Sequence, residues 1–241
     1  MEAHLYAIKL SHPSHAARLM LEHKRIEHRI TMFPAGLHPA LVRLAGFRGN
    51  TVPVLKIDGR RVEKSLVIAR ELERVKPEPG LYPADAAARA RVEQAERWGE
   101  AELQPVPRRI FRWALTQQRA AREWTARFEG LPAPSVQARI NVPLVKRFAS
   151  AVGATDGRVR QDLAELPGML DRVDELVANG TLSLEQPNAA AFQIGTAIRA
   201  LCIFAQMEPL VAGRPCGDIA RSVLPEYPQS PAELPSEWLP S

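Results

Sequence analysis

Residues 1–80 change their hydrophobic period several times, as alternating strands and helices do. Leu5 to Leu10 reads as a short strand. Ser11-His12-Pro13-Ser14 interrupts it with a helix-start signature, and Ala16, Leu19, Met20 and His23 follow at helical spacing. His28 to Met32 alternates polar and apolar residues and predicts a second strand. Phe33 to Phe47, with two prolines and two glycines, predicts loop and one short helix. Val52 to Ile57 is a compact β-branched run, Asp58-Gly59 a tight turn, and Arg60 to Glu63 the returning strand. A helix is predicted from Leu66 to Val75. The order is β-α-β-α-β-β-α, ending in the proline-rich Lys76-Pro77-Glu78-Pro79-Gly80.

Beyond Pro83 the period stays helical. Val92, Ala95, Gly99, Leu103, Val106 and Ile110 mark one face of a long helix that Pro105 and Pro107 should kink or interrupt. Further helices are predicted over residues 118–128, 138–152, 157–179 and 189–207. Asn188 can cap the last of these, but Ala191 has no side chain with which to reciprocate. Residues 224–241 hold five prolines and few apolar anchors, which predicts an extended tail on the surface or loosely ordered. The expected organisation is an α/β unit over residues 1–76, a linker over 77–84, an all-α unit over 85–223 and a tail over 224–241.

Composition adds a charge asymmetry. The net charge is +5, yet residues 1–80 carry 14 Lys or Arg against 8 Asp or Glu, so the excess is N-terminal and suits a small anionic ligand. No dense basic block interleaved with aromatics predicts nucleic-acid binding. Cys202 and Cys216 have no paired-ligand spacing, so neither a disulfide scaffold nor a metal site is expected. No run reaches the roughly 18 apolar residues of a membrane helix. These features predict a cytoplasmic chain, and a preponderance of Arg, Ala and Pro points to a bacterial genome.

The stretches Leu5-Tyr6, SHPSHAARLMLE, TVPVLKIDG, KSLVIARELE and GLYPAD stand in the order and spacing of the glutathione transferase family, which the chain resembles. That resemblance implies a thioredoxin-like α/β domain followed by an all-α domain. It implies a cytoplasmic, homodimeric enzyme using glutathione or a similar thiol peptide as cosubstrate, a small hydrophobic electrophile, and no metal. Val52-Pro53 corresponds to the family's cis-proline motif, whose first residue offers backbone N–H and C=O to the cysteinyl part of the peptide. Ser65, with Thr51 and Lys64, completes the expected binding set, the serine and helix N-terminus meeting the γ-glutamyl carboxylate. Lys64 stands where the family usually has Glu or Gln facing the ligand's ammonium. Thr51 replaces a common Lys or Gln.

Ser11 occupies the position of the catalytic serine in the theta class, where a hydroxyl at a helix start favours the thiolate. Tyr6 does not fit the tyrosine-type alternative, and Ser14 is expected to pack or cap. His12 and His15 are expected at the surface. Trp98, Phe111 and Trp113 lie on the helix that in the family faces the hydrophobic-substrate cleft, although such aromatics are more often core. A non-catalytic protein of the same fold, binding a ligand or a partner, is the alternative.

Overall fold

The computed structural model describes residues 1–240. Four strands form one mixed sheet: β1 (Ala3–Ala7), β2 (His28–Met32), β3 (Val54–Ile57) and β4 (Arg60–Glu63), in the order β2-β1-β3-β4. β1 runs parallel to β2, with Leu5 beside Ile30, and antiparallel to β3, with Leu5 opposite Leu55. The β3–β4 turn takes positive φ at both central residues, Asp58 (44°) and Gly59 (79°), which matches the twist of a two-residue hairpin.

Alternation along β1 buries Ala3, Leu5 and Ala7 against α1 (His12–His23) and α3 (Ser65–Val75). The opposite face carries Tyr6, whose ring lies 5.4 Å from Phe33 and 5.8 Å from Phe47. Val42 of α2 (His38–Leu44) closes that smaller cluster. β3 starts at Val54 rather than Val52, because Pro53 has no N–H to give the ladder.

The remaining described chain is mostly helical. α4 (Ala86–Trp98) passes through a wide π turn (Gly99–Leu103) into α5 (Pro105–Gln117). The two prolines therefore interrupt the long helix as expected, and both fall in the first turn of α5, where no intrahelical N–H bond is lost. α6 (Arg119–Glu129) follows. The single helix expected over 138–152 is two, α7 (Pro134–Ile140) and α8 (Val142–Ser150), because Pro143 cannot continue the α7 ladder.

α9 (Asp156–Ala178) runs unbroken past Pro167. α10 (Ala189–Leu201) is the axis of this part, with every residue buried. Asn188 Oδ1 accepts the Ala191 N–H at 3.0 Å while its Nδ2 donates to the Thr181 carbonyl at 2.8 Å. The second bond supplies the anchoring that Ala191 cannot. α10 stops at Leu201 instead of reaching Met207, and after the short α11 (Glu208–Val211), helix α12 (Pro215–Val223) packs back against it. The sequence spacing did not mark α12.

The tail is neither loose nor poorly anchored. Leu224, Ala232 and Leu234 are buried, and the Ser230 N–H donates to Ile203 O at 2.8 Å. Trp238 packs against Trp113 with ring centroids 5.1 Å apart and planes tilted by 48°. Tyr227 reaches the α/β part, its hydroxyl donating to Leu10 O at 3.1 Å. Its prolines stop helix and sheet formation without preventing burial of the apolar residues between them.

One buried apolar cluster runs through both parts of the chain. Two polar nodes pin their junction. Lys24 is fully buried at the end of α1 and donates to Glu73, to Lys76 O (2.7 Å) and to Pro77 O (2.9 Å). Glu96 of α4 accepts from Arg70 of α3 (2.7 Å), Tyr82 (2.9 Å) and Gln193 of α10 (2.6 Å).

Candidate active-site cleft

The end of the sheet and the start of α1 meet α5 to α8 around a cleft of about 690 Å³. Ser11, Thr51, Val52, Lys64 and Ser65 all line it, although they span three separate stretches of sequence. Pro53 is buried behind them. The Val52–Pro53 peptide is cis. Neither backbone polar group of Val52 is taken up by another group among the described residues, since the β1–β3 and β3–β4 ladders end at Val54. The Pro53 carbonyl, by contrast, accepts the Lys64 N–H at 3.3 Å.

Ser11 is the N-cap of α1. Its Oγ accepts the Ser14 N–H at 3.4 Å and the Ser14 hydroxyl at 2.9 Å. Both bonds use Ser11 lone pairs, so its own proton is left to donate into the cleft. Ser14, buried beneath it, packs in the first turn of α1 and orients the hydroxyl above.

Ser65 was expected just ahead of the helix but is its first residue, and Lys64 holds the cap position. Lys64 has φ 72° and ψ 138°, a region that costs a side-chain-bearing residue strain, and it provides no side-chain cap. The first N–H groups of α3 therefore open toward the cleft beside the Ser65 side chain, an arrangement that attracts an anion. The Lys64 ammonium has no carboxylate within ion-pair distance among the described residues. The adjacent acid, Glu63, is already taken by the N–H groups of Arg48 (2.8 Å) and Gly49 (2.9 Å).

His12 lines the cleft but is 4% exposed, not at the surface as expected. Burial, with the charges of Arg108 and His15, pulls its pKa well below 6.5, so it is neutral near pH 7. His15 is half-buried, its Nε2–H donating to the Lys9 carbonyl at 2.8 Å. Since a carbonyl only accepts, the Nε2 tautomer of His15 carries the proton. Tyr6 stacks on His4 at 4.2 Å and does not line the cleft.

Of the three aromatics on the long helix, only Phe111 faces the cleft. Trp113 is buried, its Nε1 donating to Asp156 at 2.7 Å, and Trp98 lies under the Arg172 guanidinium. Several lining residues had no motif to mark them: His38, Gln104, Arg108, Arg112, Glu129 and Tyr227. The one available signal was the four-residue spacing of Gln104, Arg108 and Arg112. Burial lowers His38 to about 4 and raises the Glu129 carboxyl. No group of three or more potential ligands that could hold a metal ion occurs among the described residues. No described helix is long and apolar enough to cross a membrane.

Residues 10–75 match the family described as glutathione S-transferase, N-terminal domain. No curated protein matches the sequence. Solved structures share the architecture over nearly the whole chain. A glutathione S-transferase from Rhodospirillum rubrum F11 is 21% identical, with 98% of this chain and 97% of that one covered and a TM-score of 0.56. A maleylacetoacetate isomerase from Anaeromyxobacter dehalogenans 2CP-1, with dicarboxyethyl glutathione and citrate bound, is 18% identical over 92% of this chain and 89% of that one, with a TM-score of 0.58. A glutathione S-transferase from Methylobacterium radiotolerans in complex with glutathione sulfonate is 16% identical over 98% and 99%, also at 0.58. At these identities the likeness is one of fold. Residues 10–75 match that family's N-terminal domain, and the chain shares the fold of these structures, an α/β thioredoxin-like part followed by a mostly helical part.

Proposed function

We propose that the chain binds glutathione or a closely related thiol peptide and activates its sulfur for attack on a small electrophile. One observation carries this reading: Ser11, Val52 and Ser65 face a single cleft with a free hydroxyl proton, free strand-end backbone groups and an uncapped helix start, respectively. The glutathione derivatives bound to the Methylobacterium and Anaeromyxobacter proteins support it.

In this reading Val52 pairs with the cysteinyl backbone, while Ser65 and the α3 N–H groups meet the γ-glutamyl carboxylate. Thr51 lies alongside. Ser11 donates to the sulfur, and the N-terminus of α1 adds a positive potential. Both favour the thiolate, whose proton passes to solvent. The cleft holds thiolate and electrophile together, which lowers the entropic part of the barrier. The chain acts in the cytoplasm as a homodimer, an assembly that light scattering checks.

Glutathione affinity by calorimetry and conjugation of 1-chloro-2,4-dinitrobenzene test the proposal. Ser11→Ala is expected to lower kcat/KM by about 10- to 100-fold, the value of one charge-assisted hydrogen bond, with glutathione affinity nearly unchanged. Absence of glutathione binding at millimolar concentration would sink the reading. Binding without turnover favours the second reading, a non-catalytic ligand-binding protein. Lys64 is the observation on that side, because it places an ammonium where the ligand's own ammonium needs an acceptor.

A further inference from the structure

The polar groups at the start and along the cleft face of α5 are donors with a single protein acceptor among them. Gln104, Arg108 and Arg112 recur every four residues and so share one face of the helix. Gln104 is 4% exposed, and its Nε2 has no hydrogen-bond partner. Arg108 lines the cleft with its side chain exposed to solvent, and it makes no hydrogen bond or ion pair among the described residues. Arg112 reaches only the Phe148 carbonyl, at 3.1 Å.

Their neighbour Arg109 shows the usual solution on the other side of the helix, a two-pronged pair with Asp162 at 2.6 and 2.7 Å. Desolvation in the cleft lowers the pKa of both Arg108 and Arg112, and the charge of Arg108 lowers Arg112 further, to about 10. Two acids share the cleft. Glu100 lies two turns before Arg108, and Glu129 feels Lys9 and the Ala35 N–H. Neither pairs with the two arginines.

We infer that Gln104, Arg108 and Arg112 form a subsite for a carboxylate on the electrophile, so that this chain prefers acidic second substrates to neutral ones. The inference rests on the thiol-transfer reading above for the identity of that substrate. A guanidinium matches a carboxylate through two parallel N–H bonds, and Arg112 can swing to it without leaving another buried group unsatisfied except one carbonyl. Phe111 and Leu115, also on this helix, supply the apolar wall for the rest of the molecule.

A matched pair of electrophiles tests this: 4-chloro-3,5-dinitrobenzoate and its methyl ester. In each reaction the thiolate forms a C–S bond, the C–Cl bond breaks, and chloride leaves with the bonding electrons. With rates corrected for the uncatalysed reaction, the acid is expected to exceed the ester at least tenfold in kcat/KM, mainly through KM. Arg108→Gln and Arg112→Gln should each cut that preference about tenfold or more while leaving the ester rate nearly unchanged. Arg112→Lys should restore part of it.

Equal rates for acid and ester would overturn the inference while leaving thiol transfer standing. So would an unchanged preference in the variants accompanied by tenfold weaker glutathione binding, which would assign the arginines to the thiol peptide. If neither electrophile turns over, the thiol-transfer reading fails, and binding of 3,5-dinitrobenzoate against its methyl ester decides the subsite separately. Tighter binding of the acid, lost in both variants, supports it; equal binding refutes it.

Discussion

Replacing Lys24 by Met keeps most of the side-chain volume and removes only the buried ammonium. That group has three acceptors: the Glu73 carboxylate, Lys76 O and Pro77 O. Glu73 keeps one other partner, the Leu81 N–H at 2.9 Å, and its side chain is 16% exposed, so it is left short of charge compensation but not wholly stranded. Breaking a buried pair costs about 3–5 kcal/mol, and partial exposure of Glu73 places the expected loss near the lower end, about 3 kcal/mol. For a chain of this size that corresponds to a fall in Tm of about 6–12 °C. The loss should appear in urea unfolding, with faster amide exchange across residues 76–81, where Lys24 ties the connecting segment to α1. Because the charge left on Glu73 causes much of the penalty, Lys24→Met with Glu73→Gln should lose clearly less than the sum of the two single variants. A single-variant loss below about 1 kcal/mol, or additivity within about 0.5 kcal/mol, would refute the reasoning.

Two glycine substitutions should move stability in opposite directions. A Cβ on Gly217 would lie 2.0 Å from Val211 O, so Gly217→Ala must displace backbone and is expected to cost more than about 2 kcal/mol; one on Gly168, inside α9, meets nothing within 4 Å, so Gly168→Ala should gain about 0.5–1 kcal/mol by unfolding titration. Equal effects would contradict the packing described. The lowered pKa of His38 predicts a pH dependence: neutral in the fold at about 4 against 6.5 unfolded, it contributes stability that is complete above 6.5 and is lost as pH falls toward 4. Glu96, raised by burial to about 7, acts in the opposite sense, so the measurement is the difference between the wild type and His38→Gln. That difference should shrink by up to about 3 kcal/mol between pH 7.5 and 4.5. A difference independent of pH would remove the assignment.

The α/β part was readable because its signals are local. The alternation in β1 and β2, the Asp58-Gly59 turn and the serine-proline start of α1 are each specified by a few adjacent residues whose backbone preferences agree with the final fold. Two boundaries moved because of proline, with β3 starting after Pro53 and α8 starting at Val142 beside Pro143, while β1 shifted from the expected Leu5–Leu10 to Ala3–Ala7 with no proline involved. The motif residues Ser11, Val52 and Ser65 were equally visible, and chain-wide packing brings them to one cleft.

What spacing could not convey was which polar residues would be enclosed. Lys24 and Glu96 look like ordinary surface charges in the sequence, as His12 does, and burial follows from elements that arrive dozens of residues later. The tail is the same case. Its prolines signal only that no helix forms, while the positions of Tyr227 and Leu234 depend on partners distant in sequence, Leu10 and Gln206. The donor column on α5 carries a regular spacing, but its missing acceptors are a property of the assembled cleft. Backbone preference acts between neighbours along the chain, and residues 1–80 announce it. Desolvation and pairing act between neighbours in space, and only the folded chain decides them.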